Sequence, residues 1–248
     1  MSPCRRAKRG CGDQGPLPHY GRRAGKVEPT QAPLIQLAAL MDLTLIIANK
    51  TYSSWSFRPW ILMRHFGIAF DEITIPLAQE NTRAEILRHT PSGKCPALRN
   101  GAIVVWDSLA IIEYLAERFP QIAVWPRSQV ARALARALAA EMHSGFGNLR
   151  ASLPMNMRRK VKRLELSQEA AADVGRIESA FAAARAEFGQ ASHFLYGDFS
   201  AADAMFAPVV NRLHVYDVDV SEGTRGSSDG TTGLEGMGGT SSSRTLGH

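Results

Sequence analysis

The fold is decided by the stretch Pro91-Ser92-Gly93-Lys94-Cys95-Pro96-Ala97-Leu98, followed by Asn100-Gly101 and then by Trp106-Asp107-Ser108-Leu109-Ala110-Ile111-Ile112-Glu113-Tyr114-Leu115. The Asn-Gly pair separates two short apolar runs, Ala97–Arg99 and Ile103–Val105. Two such runs joined by a tight, Gly-containing turn predict a β-hairpin.

A helix follows the hairpin directly. Asp107 and Ser108 can cap its start, and its apolar residues fall on one face: Leu109, Ile112, Leu115, Ala116 and Phe119. The free N–H groups and the positive dipole end of a helix favour a carboxylate. The Asp107 side chain beside them could take an ammonium group, so the pair would suit an α-amino-acid headgroup.

Together, the Pro-x-Gly-Lys-x-Pro-x-Leu motif, the hairpin and the Asp-Ser-x-Ala-Ile-x-x-Tyr-Leu motif resemble the glutathione-binding half of the cytosolic glutathione S-transferases. The resemblance implies a cis proline at Pro96, and a backbone at Cys95 that binds the cysteinyl part of glutathione. It also implies that Asp107 and Ser108 hold the γ-glutamyl end, and it adds the motif residue Lys94 to the glutathione-binding set. The alternative is that Asp107 and Ser108 only cap a core helix.

Charge and cysteine content exclude several classes of protein. The chain has 248 residues, 45% of them hydrophobic, enough for one large or two modest domains. Residues 1–40 hold seven Lys or Arg against two Asp or Glu, so five of the six net positive charges lie there. The body therefore has no basic nucleic-acid face. Cys95 is the one cysteine after residue 40, which excludes a disulfide framework or a cysteine metal cluster and favours the reducing cytoplasm.

The two ends of the chain differ from its body. Residues 1–40 lack a secretory signal and are expected to be a disordered basic extension, either native or caused by a mis-set start. Residues 221–248 are mostly Gly, Ser and Thr and are expected to be a disordered tail. That tail is either natural or the result of a frame change near Asp217–Arg225, and it leaves the second domain incomplete. No stretch is apolar enough to span a membrane.

The order of elements before the hairpin predicts a thioredoxin-like α/β domain over residues 41–119. A buried strand at Leu43–Ala48 leads through a polar loop to a helix with Pro59 in its first turn, which ends at Gly67. A second strand, Phe70–Ile75, and a polar helix around Asn81–Arg88 complete the βαβα order.

In that fold the loop after the first strand carries the reactive group. Redox members have Cys-x-x-Cys there, whereas this chain has Ser53-Ser54-Trp55-Ser56, which excludes dithiol exchange. A serine hydroxyl at a helix start can instead stabilise the thiolate of a bound thiol. The spacing from Ser53 to Arg58 resembles the zeta- and tau-like serine transferases, so Ser53 is the predicted catalytic residue, with Ser54 as its rival. The alternative is that both serines only cap the helix.

The zeta signature Ser-Ser-Cys is here Ser53-Ser54-Trp55, which puts the maleylacetoacetate isomerase activity of that class in doubt. Trp55 could line the pocket of the second substrate or pack in the core. His143, Phe146 and Arg150 lie where the family's first long helix faces the cleft, so they complete the predicted second-substrate pocket.

Beyond a linker at 120–127, residues 128–220 are expected to be helical. One long helix is predicted from an apolar stripe over Leu134, Leu138, Met142, Phe146 and Leu149. Another is predicted after Ser167, with the stripe Val174, Ile177, Phe181, Ala184 and Phe188. Between them, the charged run Met157–Arg163 is expected to be a solvated face or loop. A capping box at Ser200 and Asp203 predicts a buried helix to about Val215.

The resemblance implies a cytoplasmic glutathione transferase, usually a homodimer, that joins the glutathione thiolate to a small electrophile in detoxification. It implies that the protein needs no metal and binds neither nucleic acid nor a membrane. Glutathione-dependent isomerase, dehalogenase or peroxidase activity is the near alternative. A non-catalytic binding module with the same fold is the alternative from another class.

Overall fold

A computed structural model describes residues 43–189 and 192–225. The predicted extension at 1–40 and residues 226–248 of the predicted tail lie outside the described residues. In the part of the chain that is described, every helix is too short or too polar to cross a bilayer.

The first domain is a four-stranded mixed sheet with helices on both faces. Its strands are β1 Leu43–Ala48, β2 Asp71–Ile75, β3 Ala97–Asn100 and β4 Ile103–Val105, and its helices are α1 Ser54–His65, α2 Thr82–Leu87 and α3 Ser108–Arg118. The strand order is β2-β1-β3-β4, with β1 parallel to β2 and antiparallel to β3. The thioredoxin-like fold is confirmed.

Strand β1 is buried along its whole length because the sheet is covered on both faces. Its alternate residues Leu43, Leu45 and Ile47 join the core that includes α1 and α3. Ile46 points to the opposite face, where it packs with Ile86 of α2. The apolar run is therefore continuous rather than alternating.

The hairpin is present as predicted. β3 and β4 pair antiparallel, with Asn100 opposite Ile103, so the turn consists of two residues. Gly101 has a φ of 56°, a conformation that other residues adopt only with strain.

The predicted start of α1 is wrong. The helix begins at Ser54 with Ser53 as its N-cap, so Pro59 lies inside the helix rather than in its first turn. Proline is tolerated there at the loss of one backbone hydrogen bond, to the carbonyl of Trp55. The polar loop after β1 is therefore shorter than expected, and both candidate serines lie at the helix start.

The second domain contains α4 Gln129–Ser144, α5 Gly147–Ser152, α6 Gln168–Ala184, a π-helical turn Arg185–Gly189 and α7 Ala201–Val215. The single long helix predicted over Leu134–Leu149 is wrong. The chain leaves helical geometry at Gly145, and Phe146 takes a left-handed conformation, with a φ of 55°, before α5 begins. Leu134 is 45% exposed, so it does not belong to the buried stripe. The predicted helix after Ser167 is confirmed as far as Ala184, but Phe188, the last residue of its predicted stripe, lies in the π-helical turn. Residues 157–163 form a loop.

Helix α7 is the centre of the second domain and also touches the first. The predicted capping box is present: the backbone N–H and the hydroxyl of Ser200 both donate to Oδ2 of Asp203, at 2.9 Å. Every residue from Ala201 to Leu213 is buried. Nε of Arg58 in α1 donates to the Met205 carbonyl at 2.8 Å, which ties the two domains together.

The structure continues into the segment predicted to be a disordered tail. Residues 222–225 form a helical turn, and the backbone N–H of Ser221 donates to Oε1 of Glu178 at 2.6 Å. The beginning of that segment therefore packs on α6, contrary to the expectation from composition.

Candidate functional site

Two serines, Ser53 and Ser56, form a hydrogen-bonded chain at the start of α1. Oγ of Ser53 accepts the Ser56 backbone N–H at 3.3 Å, and its hydroxyl donates to Oγ of Ser56 at 3.0 Å. Oγ of Ser56 in turn accepts the backbone N–H of Ala48 at 3.0 Å. Ser54, the first residue of the helix, lies next to this chain and is 7% exposed. The Ser53 hydroxyl is thus held in place by a second, fully buried serine.

Ser56 was missed in the sequence. The Ser53-x-x-Ser56 spacing places these residues at the N-cap and N3 positions, where a capping box has its two polar residues, so it could have been noticed.

Two pockets open on either side of Trp55, Lys94 and Cys95, which line both. The hairpin-side pocket, of about 440 Å³, is lined by Trp55, Ser92, Lys94, Cys95, Pro96, Trp106, Asp107, Ser108 and His143. The serine-side pocket, of about 630 Å³, is lined by Ala48, Tyr52, Ser53, Ser54, Trp55, Leu77, Ile86, Lys94, Cys95, Gly147, Arg150, Ala151 and Arg212. Because they share three residues, the two pockets are adjacent, and together they are called the cleft below.

Asp107 links α3 to the second domain. Its Oδ1 accepts the backbone N–H groups of Leu109 and Ala110 at 3.0 and 3.5 Å, so it caps α3 as predicted. Its Oδ2 lies 3.0 Å from Nε2 of His143 in α4. Asp107 is therefore a cap and also faces the hairpin-side pocket.

The neighbouring Ser108 is fully buried, yet it lines the same pocket. Its Oγ makes no hydrogen bond with any described residue. A buried polar atom without a partner is unfavourable, so a ligand group in this pocket would satisfy it.

The Cys95–Pro96 peptide bond is cis, as the resemblance implied. Cys95 is a free cysteine, and burial raises the pKa of its thiol to about 11. It is therefore a neutral thiol at physiological pH and not a nucleophile in its own right.

Trp55 forms the wall between the pockets. Its ring lies 5.2 Å from that of His143 in an edge-on contact. The guanidinium carbons of Arg58 and Arg150 lie 4.2 and 5.3 Å from the centre of the ring. Trp55 thus lines the cleft and also packs against two cations.

Only some of the predicted second-substrate residues line the cleft. His143 lines the hairpin-side pocket and Arg150 the serine-side pocket. Phe146 lines neither. It is 7% exposed, and its ring packs 6.3 Å from that of Phe206. The break after α4 turns Phe146 into the core, away from the cleft.

Arginines concentrate positive charge behind the serines. Burial, with the charges of Arg212 and Arg150, lowers the pKa of Arg58 to about 9. Burial, with the charge of Arg150, lowers the pKa of Arg212 to about 10. Both remain cationic at neutral pH. Arg212 was missed in the sequence, although a cation inside the apolar run of α7 is an unusual residue that points to a special role.

The part of the chain described by the structure contains no group of three or more His, Cys, Asp or Glu that could hold a metal ion.

Two parts of the chain match models of a known family. Residues 52–118 match the family model described as the glutathione S-transferase N-terminal domain, and residues 167–234 match that of the C-terminal domain.

The chain belongs to the glutathione S-transferase family.

Individual relatives match only in part. A probable maleylacetoacetate isomerase from Caenorhabditis elegans is 32% identical over 94 residues, which are 38% of this chain and 44% of that protein. Glutathione S-transferase 1 from Dianthus caryophyllus is 39% identical over 83 residues, 33% of this chain and 38% of that protein. The matched part thus spans less than half the length of either relative.

A solved glutathione transferase homolog from Burkholderia GL BGR1, with bound glutathione, has the same fold, with a TM-score of 0.57. It is 21% identical, and the match covers 77% of this chain and 90% of that one. The N-terminal match ends where α3 ends. The C-terminal match reaches residue 234, beyond the last described residue.

Proposed function

We propose that this chain binds glutathione along the cleft and transfers its thiol to a small electrophile. The observation that carries the proposal is the buried, unpartnered hydroxyl of Ser108, which lies beside Asp107 at the start of α3. A carboxylate acceptor is the group that would complete this site, because the helix start also attracts negative charge.

The headgroup of glutathione is an α-amino acid and would occupy the hairpin-side pocket. Its carboxylate accepts from the Ser108 hydroxyl and from the first turn of α3. Its ammonium group pairs with Asp107, whose Oδ2 is shared with His143 at 3.0 Å. Cys95 offers its backbone to the cysteinyl part, and Lys94 supplies a cation within the cleft for the remaining carboxylate.

The thiol would then lie near Ser53, in the serine-side pocket. The Ser53 hydroxyl donates to Oγ of Ser56 at 3.0 Å. Because each hydroxyl can donate or accept, that bond can reverse: Ser56 donates to Ser53, and Ser53 donates to the thiolate. The Ser56 oxygen still accepts the Ala48 N–H, so no buried group loses its partner.

A bond from Ser53, with the positive end of α1, lowers the thiol pKa from its free value of about 8.5. More of the bound thiol is then thiolate at neutral pH, and the thiolate is the nucleophile. The protein's remaining contribution is to hold the sulfur and the electrophile together in the cleft.

Three measurements test the proposal. Calorimetric titration with glutathione is expected to show binding, and the ultraviolet absorbance of the bound thiolate is expected to appear at a lower pH than that of free glutathione. Turnover of chlorodinitrobenzene is the expected activity. Binding without a shifted thiol pKa and without turnover of any electrophile would support a non-catalytic binding module instead.

A second candidate is a glutathione-dependent isomerase, because one of the relatives is named a probable maleylacetoacetate isomerase. Trp55 follows Ser53-Ser54 at the position where the zeta signature has cysteine. Conversion of a cis to a trans double bond without consumption of glutathione would favour isomerisation over conjugation. Dehalogenase activity is recognised by the release of halide together with a product that keeps no glutathione, and peroxidase activity by the formation of glutathione disulfide from a peroxide.

The proposal includes a homodimer in the cytoplasm. The single cysteine of the body is compatible with a reducing compartment. Light scattering across a range of protein concentrations tests the dimer, and a mass equal to one chain at every concentration would exclude it.

A further inference from the structure

The serine-side pocket has an unbalanced charge. Its charged lining residues are Lys94, Arg150 and Arg212, and none of the described residues that line it is acidic. A pocket with cations alone raises the local concentration of anions.

The two arginines are held in place by groups that do not neutralise them. Arg212 is 4% exposed, and it donates to the backbone carbonyls of Leu153 and Pro208 at 2.7 and 3.2 Å. Nε of Arg150 donates to the Phe146 carbonyl at 3.3 Å, while its guanidinium lies over Trp55. Backbone carbonyls orient a guanidinium but leave its full charge in the pocket.

A third arginine lies behind them. Arg58 is fully buried under the Trp55 ring, and its Nη1 and Nη2 make no hydrogen bond with any described residue. At Arg58 the like charges of Arg212 and Arg150 outweigh the opposite charge of Asp107. Such a cluster is unfavourable unless a further anion accompanies it. An anionic ligand in the serine-side pocket would relieve this repulsion.

The position of Arg150 and Arg212 separates them from the glutathione contacts. Both belong to the second domain, in α5 and α7, whereas Ser53, Ser54 and Cys95 lie on the first-domain wall of the same pocket. In the proposed function, glutathione lies along the first-domain wall. The arginine wall therefore faces the other reactant.

We propose that the second substrate is an anion, namely a small electrophile that carries a carboxylate bound by Arg150 and Arg212. This inference rests on the proposed function. A planar carboxylate matches the parallel N–H groups of a guanidinium, which makes it a better ligand here than a neutral aromatic compound. Arg58 adds to the field without touching the substrate.

A matched pair of probes tests the preference: a chloronitrobenzoate with chlorine ortho to the nitro group, and its methyl ester. In both, the glutathione sulfur bonds to the chlorine-bearing carbon, the carbon–chlorine bond breaks, and chloride leaves with the electron pair. The thiol proton passes to water. The two electrophiles differ in intrinsic reactivity, so each kcat/KM is divided by the uncatalysed rate with glutathione.

The acid is expected to be favoured over the ester by about tenfold or more, as for a charge-assisted hydrogen bond. Arg150→Gln is expected to reduce this ratio about tenfold. A general change in thiolate formation affects both probes equally and cancels in the ratio. Arg127→Gln, which removes an exposed arginine that lines neither pocket, is the matched control and should leave the ratio unchanged.

Arg212→Lys is a second variant, because it keeps the charge of a buried residue while it removes the planar donor. It should lower the ratio less than Arg150→Gln does. A wild-type ratio near one, or a ratio that Arg150→Gln leaves unchanged, would overturn the inference.

Calorimetric titration with the two glutathione conjugates separates this inference from the function on which it rests. Tighter binding of the carboxylate conjugate supports the inference even without turnover. If glutathione binds but the two conjugates bind equally, only the inference fails. If neither glutathione nor either conjugate binds, the proposed function fails, and the inference fails with it.

Discussion

The hairpin-side and serine-side pockets lie in one cleft but are built in different ways. Most residues of the hairpin-side pocket come from one short segment, Ser92 to Ser108, and they include both a carboxylate and a lysine. The serine-side pocket takes residues from segments as distant as Ala48 and Arg212, and its charged groups are all cations. A local segment thus forms a site for a zwitterion, whereas a site for an anion depends on how the two domains pack.

If this contrast is correct, conditions that affect α7 should act on the serine-side pocket first, because α7 contributes Arg212 to that pocket alone. Burial raises the pKa of Asp203, beneath the start of α7, to about 6 from 3.8. A raised carboxyl pKa stabilises the fold below the unfolded value, and that stability is lost as pH rises through about 6. Between pH 4 and 7 this group should lower the free energy of unfolding by about 2 kcal/mol.

The measurement is urea unfolding of the wild type and of Asp203→Asn at several pH values. The difference in free energy between them should vary over this range, because the amide that replaces the carboxyl group does not titrate. The part of the difference that does not vary with pH reflects the altered hydrogen bonds and carries no information on the pKa of Asp203. A pH-independent difference would mean that Asp203 titrates at its ordinary value.

Within the serine-side pocket, Ser53→Ala should reduce kcat/KM by about ten- to a hundredfold, since a charge-assisted hydrogen bond contributes about 1.5–3 kcal/mol. The pKa of the bound thiol should rise with it, as read from thiolate absorbance. Ser167→Ala, which removes the N-cap of α6 outside both pockets, is the control for a lost helix cap. A larger effect in Ser54→Ala, with none in Ser53→Ala, would move the catalytic role to the neighbouring serine.

In the hairpin-side pocket, Asp107→Asn should weaken glutathione binding about tenfold, or about 1.4 kcal/mol, because the amide keeps an oxygen for capping but loses the charge that attracts the ammonium group. Calorimetry measures the affinity, and thermal unfolding checks that α3 remains capped. Unchanged affinity together with a lower melting temperature would leave Asp107 as a cap alone.

The smallest expected effect is that of Ser200→Ala, which should lower the free energy of unfolding by about 1 kcal/mol, the usual contribution of an N-cap. Glutathione affinity should not change, because Ser200 lies in neither pocket. A loss of affinity at unchanged stability would contradict a purely structural role.

Much of the hairpin-side pocket could be predicted from the sequence, since its parts obey short-range rules. The Asn100-Gly101 turn and the Asp107 cap each depend on residues two to four positions apart. The Ser200-Asp203 box, outside both pockets, is predictable for the same reason. The helix break at Gly145 could not be predicted in this way. Val130 and Leu134 continue the helical spacing of apolar residues but remain exposed, at 58% and 45%, because periodicity does not say which stripe finds a partner.

The sequence by itself determined the order of helices and strands, the hairpin turn, the helix caps and the position of the serines after β1. Each of these features depends on a few neighbouring residues. The tertiary structure alone decided the contact between His143 and Asp107, the burial of Phe146 and the cluster of Arg58, Arg150 and Arg212. The bond from Arg58 to Met205 joins residues 147 positions apart. Burial and charge at such a distance depend on how the two domains pack, and no local pattern encodes that arrangement.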